Sequence, residues 1–390
     1  MKQFHSLLAV VSAACTLVSA TPVQTASIST FNPFKDHTFA ISPIYREQAL
    51  KASITFLKAG KLDLANRATY VATKVAAFSW VAHTTDVPKL RGWLKEANLV
   101  QTLTGKKQVV EVAVYNLPDR DCSAKSSAGE LSYADGGEEK YKKFIQDVVA
   151  EIKKYPNLRV VIGLEADSIG NLVTNLSVPK CGDNAEGQKR SLAYAIAALQ
   201  LPNVAIYLDG AHAGWLGWEG NIEATAELMG ELVKKAKAIN PKAAVRGVAT
   251  NVSNYNGLGN QPQMGYDDLI YVRNLQPLLV AEGIDAHFIV DQGRSGNQNY
   301  TRSGLDWCNN KNAGFGTLPT TKTPDPFIDA IVWAKPGGQS DGTSDRAAVR
   351  FDEACASETS LQPAPEGGSW FQAYFEQLLV KANPKIPKIL

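Results

Sequence analysis

The chain has 390 residues, of which 45% are hydrophobic and 20% charged, and 40 basic residues nearly balance 38 acidic ones for a formal net charge of +2. This balance of signs gives no indication of a basic patch, so we expect no nucleic acid partner. The length suffices for one large α/β barrel or for two ordinary domains. From about residue 32 onward, no linker, low-complexity tract or repeat divides the chain.

The N-terminus has the pattern of a secretory signal peptide over residues 1–20. Lys2 supplies a positive start, residues 7–18 are mostly apolar, and Val18-Ser19-Ala20 provides small residues before a cleavage point. The apolar run is too short for a membrane span, and no later segment is apolar for long enough to cross a bilayer. We therefore expect a secreted, extracellular protein with no membrane partner.

Four cysteines remain beyond the predicted signal peptide. An even number in a secreted chain favours two disulfides, and four cysteines allow three pairings. Sequential pairing, Cys122 with Cys181 and Cys308 with Cys355, would pin two polar loops. No CxxC or clustered Cys/His spacing occurs, so no metal site is expected.

Seven short apolar runs predict β-strands at residues 74–81, 109–115, 160–164, 204–208, 245–250, 286–291 and 329–334. Amphipathic stretches between them predict helices, among them 139–155, 187–200 and 222–239. This alternation is typical of βα units on a parallel sheet. Seven such units in one uninterrupted chain favour an α/β barrel, which need not close completely, over a doubly wound sheet.

Polar and aromatic residues follow each predicted strand at its C-terminal side. They are Trp80, Asp121, Asp167, Asp209, His212, Asn251, Asp291, Arg294, Lys335 and Asp341. In parallel barrels the loops at the carboxyl ends of the strands build the active site. We therefore expect these residues to converge at one mouth of the barrel.

Two of these residues are carboxylates on successive strands. Asp121 lies in the run YNLPDRDC at residues 115–122, and Asp167 lies two residues after Glu165 at the end of the next strand. Paired carboxylates in different environments perform acid/base hydrolysis, above all of glycosidic bonds. A neighbouring carboxylate raises the proton affinity of an acid, which suits a proton donor near neutral pH. The alternative is a solvated turn followed by a helix N-cap at Asp167-Ser168.

The tryptophans indicate what such a site would bind. Trp215 and Trp218 lie three residues apart in a glycine-rich segment, and Trp80 and Trp307 also lie at strand ends or loops. Indole faces stack on the apolar faces of sugar rings. The other three lie in apolar patterns typical of a core: Trp93, Trp333 and Trp370. No GxGxxG or P-loop is present, so no cofactor is expected.

At these residues the chain resembles glycoside hydrolase family 6, the fungal cellobiohydrolase II type. The matching stretches are residues 115–122, 165–168, 171–175, 208–218, 249–257, 291–296, 307–308, 335–338 and 341–345. The resemblance implies a catalytic domain over residues 21–390 that folds as a distorted, incompletely closed, seven-stranded parallel α/β barrel. It also implies hydrolysis of β-1,4-glucan with inversion at the anomeric carbon and without a cofactor.

The resemblance also implies residue roles. Asp167 would be the general acid that protonates the leaving oxygen, and Asp121 would raise its pKa and steady developing positive charge. Tyr115 would crowd the sugar at the cleavage point, and Ser127 would help to position the attacking water. Asp341 is the candidate base, with proton removal through a chain of waters as the rival account.

The remaining matched positions would contact or support the glucan. Those on the non-reducing side of the cut are Trp80, Trp307 and Lys335. Those on the leaving-group side are Arg120, His212, Trp215 and Trp218. Polar residues in supporting positions are Asp209, Asn251 and Arg294. Asn251 and Gln339, which is near Lys335, are also substrate-binding candidates.

Several positions depart from the family pattern. Ala166 replaces the usual proline before Asp167, and Gln339 replaces a frequent glutamate. Further departures at sugar-side positions are Ala82, Asn116 and Ala128. The acid, its neighbour and the base position are retained, so these changes bear on sugar affinity and on strictness of exo action rather than on activity.

Exo action is the expectation from loop length. In this family two long loops roof the cleft of exo-acting members, and here the loop after Cys122 and residues 337–365 both look full length. We expect a monomer that releases cellobiose from the non-reducing ends of cellulose and cello-oligosaccharides. With no cysteine-rich carbohydrate-binding module in the sequence, we expect weak adsorption to crystalline cellulose.

Three alternatives remain open. A wider or more mobile tunnel would permit endo action. A non-catalytic glucan-binding protein would keep the aromatic residues without turnover. A metal-using barrel enzyme, such as a polysaccharide deacetylase, is disfavoured by the lack of a His/Asp ligand cluster.

Overall fold

A computed structural model describes residues 30–260, 264–300 and 306–389. The predicted signal peptide at residues 1–20 lies outside this range. Within the described residues, no helix is long and apolar enough to cross a membrane.

The described residues contain one parallel sheet. Its strands are β1 (Thr38–Phe39), β2 (Ser79–Val81), β3 (Gln108–Val114), β4 (Arg159–Leu164), β5 (Val204–Asp209), β6 (Gly247–Thr250), β7 (His287–Asp291) and β8 (Ile328–Val332). β3 to β8 are neighbours in chain order. β1 and β2 pair with the two ends of the same edge of β3, through Thr38 with Gln108 and Val81 with Val114. Together they fill one strand position, which gives seven positions as expected.

The sheet curls strongly but stays open between β2 and β8, which form its two edges. Phe78, just before β2, donates its backbone N–H to the carbonyl of Trp333, just after β8, at 3.0 Å. Helices cover the outside, as βα units require. They are α1 (Pro43–Lys58), α2 (Leu62–Lys74), α3 (Val87–Thr104), α4 (Gly137–Ile152), α5 (Ser168–Thr174), α6 (Pro179–Gly182), α7 (Ala185–Ala198), α8 (Ala213–Leu216), α9 (Asn221–Ile239), α10 (Asp268–Ala281) and α11 (Gln372–Val380). The predicted open α/β barrel is confirmed.

The first predicted strand is wrong over most of its length. Residues 74–81 were expected to be extended and paired, but α2 runs through Lys74 and only Ser79–Val81 forms a strand. Residues 75–78 are all buried, which explains their apolar character without sheet pairing. The six later predicted strands are found with shifts of one or two residues at their ends.

The predicted disulfide pairing is confirmed, with Cys122 bonded to Cys181 and Cys308 to Cys355. The first bond ties the loop after β3 to α6, and the second ties the segment after Trp307 to the loop that follows Asp341. Each of the two polar loops that carry site residues is therefore fixed by a disulfide between residues that lie outside the strands.

Side chains of β3 alternate between two apolar layers. Val110, Val112 and Val114 pack towards the helices, whereas Val109 and Ala113 belong to the interior of the barrel. Because strand side chains alternate, Glu111 also points into that interior. It is 2% exposed, and neither carboxylate oxygen has a hydrogen-bond partner among the described residues. Burial, together with the charge of Asp291, raises the pKa of Glu111 well above its usual value.

We predict that Glu111→Gln makes the protein more stable at neutral pH. A carboxyl group with a raised pKa in the folded state costs nothing below its unfolded pKa near 4.5, and it lowers stability progressively as the pH rises towards its folded pKa. The increase in the free energy of unfolding should be absent at pH 4 and reach about 3 kcal/mol at most by pH 7. Urea unfolding of both proteins between pH 4 and pH 8 measures it.

The matched control is Glu227→Gln on the exposed side of α9, which should change stability equally little at every pH. A stability difference for Glu111→Gln that does not grow with pH would contradict the assignment of a buried, neutral acid.

Candidate active site

The carboxyl ends of the strands open into one cavity of about 440 Å³. Ten of the predicted site residues line it: Trp80, Tyr115, Asp121, Ser127, Asp167, His212, Trp215, Trp307, Lys335 and Asp341. Trp80 lies on β2 itself, and the other nine come from segments that follow five different strands. The expected convergence at one mouth of the barrel is therefore observed.

The chain turns sharply where it leaves the strands. Asp121, Asp167 and Asn251 have φ values of 56°, 64° and 59°, in the left-handed region. Aspartate and asparagine tolerate this region better than most residues, and strained backbone of this kind clusters at functional sites. Asp167 precedes α5 but its side chain makes no capping hydrogen bond, so the simple N-cap interpretation is wrong.

Asp167 is surrounded by other acids. Burial raises its pKa well above the usual value, and the nearby charges of Asp209 and Asp121 raise it further, while Lys335 opposes them. Asp209 lies directly against it, accepting the backbone N–H of Asp167 at 3.0 Å and that of Ala211 at 3.0 Å. Burial raises the pKa of Asp209 to about 7. The sequence pointed to Asp121 as the tuning group, but Asp209 has the larger effect.

Asp121 organises the loop that carries Ser127. Its Oδ2 accepts the Ser127 backbone N–H at 2.7 Å, and burial raises its pKa despite that bond. Tyr115 packs edge-on to Trp80, with 5.4 Å between ring centroids. These four side chains thus form one wall of the cavity beside Asp167.

Asp341 has the opposite environment. Its Oδ2 accepts hydrogen bonds from Arg294 Nη1 at 2.7 Å, from the Asn309 backbone N–H at 2.8 Å and from the Tyr255 hydroxyl at 3.2 Å. The Lys335 ammonium is 3.4 Å from Oδ1. Although burial opposes ionisation, the charges of Arg294 and Lys335 lower the pKa of Asp341. It is a permanent anion held by two cations.

The aromatic residues are anchored by their indole N–H groups. Trp80 donates to the Ala334 carbonyl and Trp215 to the Thr174 hydroxyl, both at 2.8 Å. The Lys335 ammonium lies 5.8 Å from the centroid of Trp80. Fixing the polar edge of an indole leaves its face for stacking, which is the geometry that sugar binding needs.

Two residues predicted to contact sugar lie behind the cavity wall instead. Arg120 is 5% exposed, and its guanidinium is 4.1 Å from the centroid of the Tyr115 ring. It donates to the carbonyls of Ser127, Ala82 and Tyr115, so it holds the wall in place. Asn251 is fully buried.

The Asn251 amide donates to the carbonyls of Asn256 and Asp291 and to the hydroxyl of Ser295, which leaves it buried under the floor of the cavity. Asn251 is not among the residues that line the cavity.

Two further predicted residues lie outside this cavity. Trp218 is 49% exposed, donates to the Gly214 carbonyl at 3.0 Å and packs against Gly265, which has no side chain to obstruct it. Gln339 donates to Gln48 Oε1 at 2.9 Å, linking its loop to α1. Trp218 therefore lies beyond the cavity on the Trp215 side, and Gln339 is engaged by another side chain.

Tyr255 and Asn171 are among the cavity residues that sequence reasoning missed. Tyr255 binds Asp341 and lies under the Arg294 guanidinium, 4.5 Å from the ring centroid. Asn171 accepts the Ser123 hydroxyl at 2.7 Å and so joins α5 to the loop after β3. Both lie within matched stretches of sequence, 249–257 and 171–175, but nothing in the local pattern separates them from ordinary loop residues.

The two disulfide-anchored loops touch one another at Ser126, which lines the cavity. Ser126, in the loop after β3, packs on Gly342 and Gly367 of the other loop. A Cβ atom added to Gly342 would lie 2.7 Å from Ser126 Cβ, and one added to Gly367 would lie 2.9 Å from the Ser126 carbonyl oxygen. The contact therefore depends on the absence of side chains at these glycines.

No cluster of three His, Cys, Asp or Glu residues suited to a metal ion occurs among the described residues. The cations that face the acids in the cavity wall are Lys335 and Arg294. The arrangement combines a neutral acid, fixed anions and anchored aromatic faces in one cavity. Such a site can donate a proton to a bound sugar and stabilise positive charge that develops on it.

Comparison with known proteins agrees with this geometry. Residues 34–382 match the family model of "Glycosyl hydrolases family 6". Exoglucanase 3 of Agaricus bisporus is 44% identical over 362 residues, which cover 91% of this chain and 80% of the relative.

Two solved structures superpose closely. A family 6 enzyme from Coprinopsis cinerea gives a TM-score of 0.88 at 41% identity and covers 92% of this chain and 100% of its own. Cellobiohydrolase II from Humicola insolens, in complex with glucose and cellotetraose, gives 0.86 at 40% identity and covers 91% and 100%. The chain belongs to glycoside hydrolase family 6.

Proposed function

We propose that this protein is a secreted, inverting β-1,4-glucanase of the cellobiohydrolase type, acting from the non-reducing ends of cellulose and cello-oligosaccharides. The relatives named above include an exoglucanase and a cellobiohydrolase bound to cellotetraose. The observation that carries the proposal is the buried acid Asp167, with its raised pKa, in a cavity that two anchored tryptophans also line. Secretion is supported by the predicted signal peptide and by two disulfides, which persist in oxidising compartments.

Asp167 is proposed as the general acid. A general acid must hold its proton at the working pH, and burial beside two other acids favours this protonated state. The proton passes to the glycosidic oxygen as the bond to the anomeric carbon breaks. Water attacks that carbon from the opposite face, so the new reducing end forms as the α-anomer.

Proton removal from the attacking water is proposed to run through a second water to Asp121. Asp341 is a weak base, because Arg294, Lys335 and a backbone N–H stabilise its ionised form. The pKa of Asp121 is raised, and this carboxylate holds the backbone of Ser127, the residue proposed to position the water. Asp341 then serves as a fixed negative charge near the oxocarbenium-like centre.

Exo action is supported by the contact between the loops. Ser126 lines the cavity and meets Gly342 and Gly367 of the other loop. We propose that this contact roofs the cavity, so that a long glucan chain enters from one end. An opening of this contact would permit cuts within a chain, which is the endo alternative.

We predict that Asp167→Ala loses at least 100-fold in hydrolysis of cellohexaose, because a poor leaving group needs a proton donor. Chromatography and NMR of early products should show α-cellobiose from the wild-type enzyme. Equal rates for the two proteins would exclude Asp167 as the acid. Tight binding of cellohexaose without turnover by the wild type would leave a non-catalytic glucan-binding protein.

We predict different pH profiles for Asp121→Asn and Asp341→Asn. The acidic limb of kcat/KM reports ionisation of the essential base in the free enzyme. It should flatten in Asp121→Asn and persist in Asp341→Asn, at lower overall activity. The reverse pattern would identify Asp341 as the base.

We predict that Gly342→Ala shifts the enzyme towards endo action. The added methyl group would lie 2.5 Å from Cys355 Sγ and 2.7 Å from Ser126 Cβ. Because Cys355 is fixed by its disulfide, we expect the loop that carries Ser126 to move away. The ratio of viscosity loss to new reducing ends on carboxymethylcellulose should rise severalfold. The matched control is Gly92→Ala in α3, where an added Cβ meets nothing within 4 Å and the ratio should stay unchanged. An unchanged ratio for Gly342→Ala would argue against the contact as the determinant.

A further inference from the structure

His212 has an amide group beside each nitrogen of its ring. Nδ1 lies 3.3 Å from Asn256 Nδ2, and Nε2 lies 3.0 Å from Asn254 Nδ2. The ring lines the cavity on the Trp215 side, with 6.2 Å between the two ring centroids. A neutral imidazole has one N–H and one acceptor nitrogen, so both amides cannot donate to it at once.

Asn256 is the amide that cannot turn. Its Nδ2 donates to Asp268 Oδ1 at 2.9 Å, and its backbone N–H donates to Asn251 Oδ1 at 2.9 Å. Asn256 and Asp268 are both fully buried. A rotation of the amide would bring its oxygen against the Asp268 carboxylate and lose a hydrogen bond to a charged group. Its second N–H is therefore directed at His212 Nδ1.

Asp268 also holds the backbone next to His212. The same Oδ1 accepts the backbone N–H of Ala213, the next residue in the chain, at 3.0 Å. Burial raises the pKa of Asp268 to about 6, opposed by the bonds from Asn256 and Ala213 and by the Thr250 hydroxyl.

The acids that face Asp268 are Asp267 and Asp209, and the Tyr271 phenol lies close by. Near neutral pH the carboxylate form, which accepts both N–H groups, is the one expected.

Asn254 is held differently. It lines the cavity, and its Oδ1 accepts the backbone N–H of the adjacent Tyr255 at 2.9 Å. A local bond of this kind allows the side chain to turn at the cost of one neutral hydrogen bond. Of the two amides, Asn254 is therefore the one that can rotate so that its N–H group no longer points at His212.

We propose that Asp268, acting through Asn256, is a positioning residue that fixes the tautomer of His212. Nδ1 accepts from Asn256, and the ring proton lies on Nε2, where it can donate to a hydroxyl of the sugar on the leaving-group side. The statement that His212 donates to a sugar rests on the proposed function. The statement about its tautomer does not.

The tautomer is measured directly by NMR of protein labelled with ¹⁵N-histidine, with the His212 signal identified by its loss in His212→Ala. The wild-type protein should show protonated Nε2 and unprotonated Nδ1 at pH 7. Asp268→Leu removes the acceptor and should give a mixture of tautomers. Asp268→Asn keeps an oxygen in the same place and should restore the wild-type pattern.

The matched control is Asp267→Leu. Asp267 caps α10 by accepting the Leu269 N–H at 2.9 Å. Its loss should lower the melting temperature as Asp268→Leu does, yet leave the His212 signal unchanged. A wild-type ring protonated at Nδ1, or an Asp268→Leu ring with the wild-type pattern, would overturn the proposal.

A double-mutant cycle tests the link to catalysis. Asp268→Leu should reduce kcat/KM on cellotetraose by about tenfold, the value of one hydrogen bond. It should reduce it by less than twofold in a His212→Ala background, because coupled residues are non-additive. Equal losses in both backgrounds would show that Asp268 does not act through His212.

If the wild type cleaves no cello-oligosaccharide, the proposed function fails, and the NMR result still decides the tautomer.

Discussion

The desolvation of carboxyl groups at the carboxyl edge of the sheet governs this structure. Burial is the largest cause of the raised pKa of Asp167, Asp209, Asp268 and Asp291. Each of the last three accepts backbone N–H groups from neighbouring turns, which favour the ionised form of the acid. Burial outweighs these bonds, so the three acids keep their protons to higher pH than exposed acids do.

Asp341 is the exception, and the contrast explains the division of roles in the cavity. Two cations contact it and favour its ionised form. Asp167 has several acids close by, which together with burial favour its protonated form. One cavity thus combines an acid of raised pKa with an acid of lowered pKa, the combination that the proposed hydrolysis of a glycosidic bond uses.

Much of the fold could be predicted because it follows from local pattern. Apolar runs separated by amphipathic helices indicate a parallel sheet, and residues at the carboxyl ends of its strands must lie together. The strand predicted at 74–81 was too long, because buried residues and paired strand residues have the same apolar character. The site residues Asp121, Asp167 and Trp215 could be predicted from their neighbours in the sequence.

What could not be predicted depends on contacts between distant parts of the chain. Gln339 binds Gln48, 291 residues away, and no local pattern reports such a partner. Arg120 lies next to Asp121 in the same loop but does not line the cavity, because its guanidinium donates hydrogen bonds to three backbone carbonyls. The effect of Asp209 on Asp167 likewise arises only when β4 and β5 lie side by side.

The open seam of the sheet has a consequence for Trp80. This residue lies on β2, at one edge, and its indole N–H binds the carbonyl of Ala334 beyond β8, at the other edge. This hydrogen bond and the backbone bond from Phe78 to Trp333 connect two edge strands that do not pair with each other. In the proposed function Trp80 stacks on a sugar, so the same side chain would link glucan binding to the width of the groove. Loss of the indole would therefore loosen the scaffold and the binding surface together.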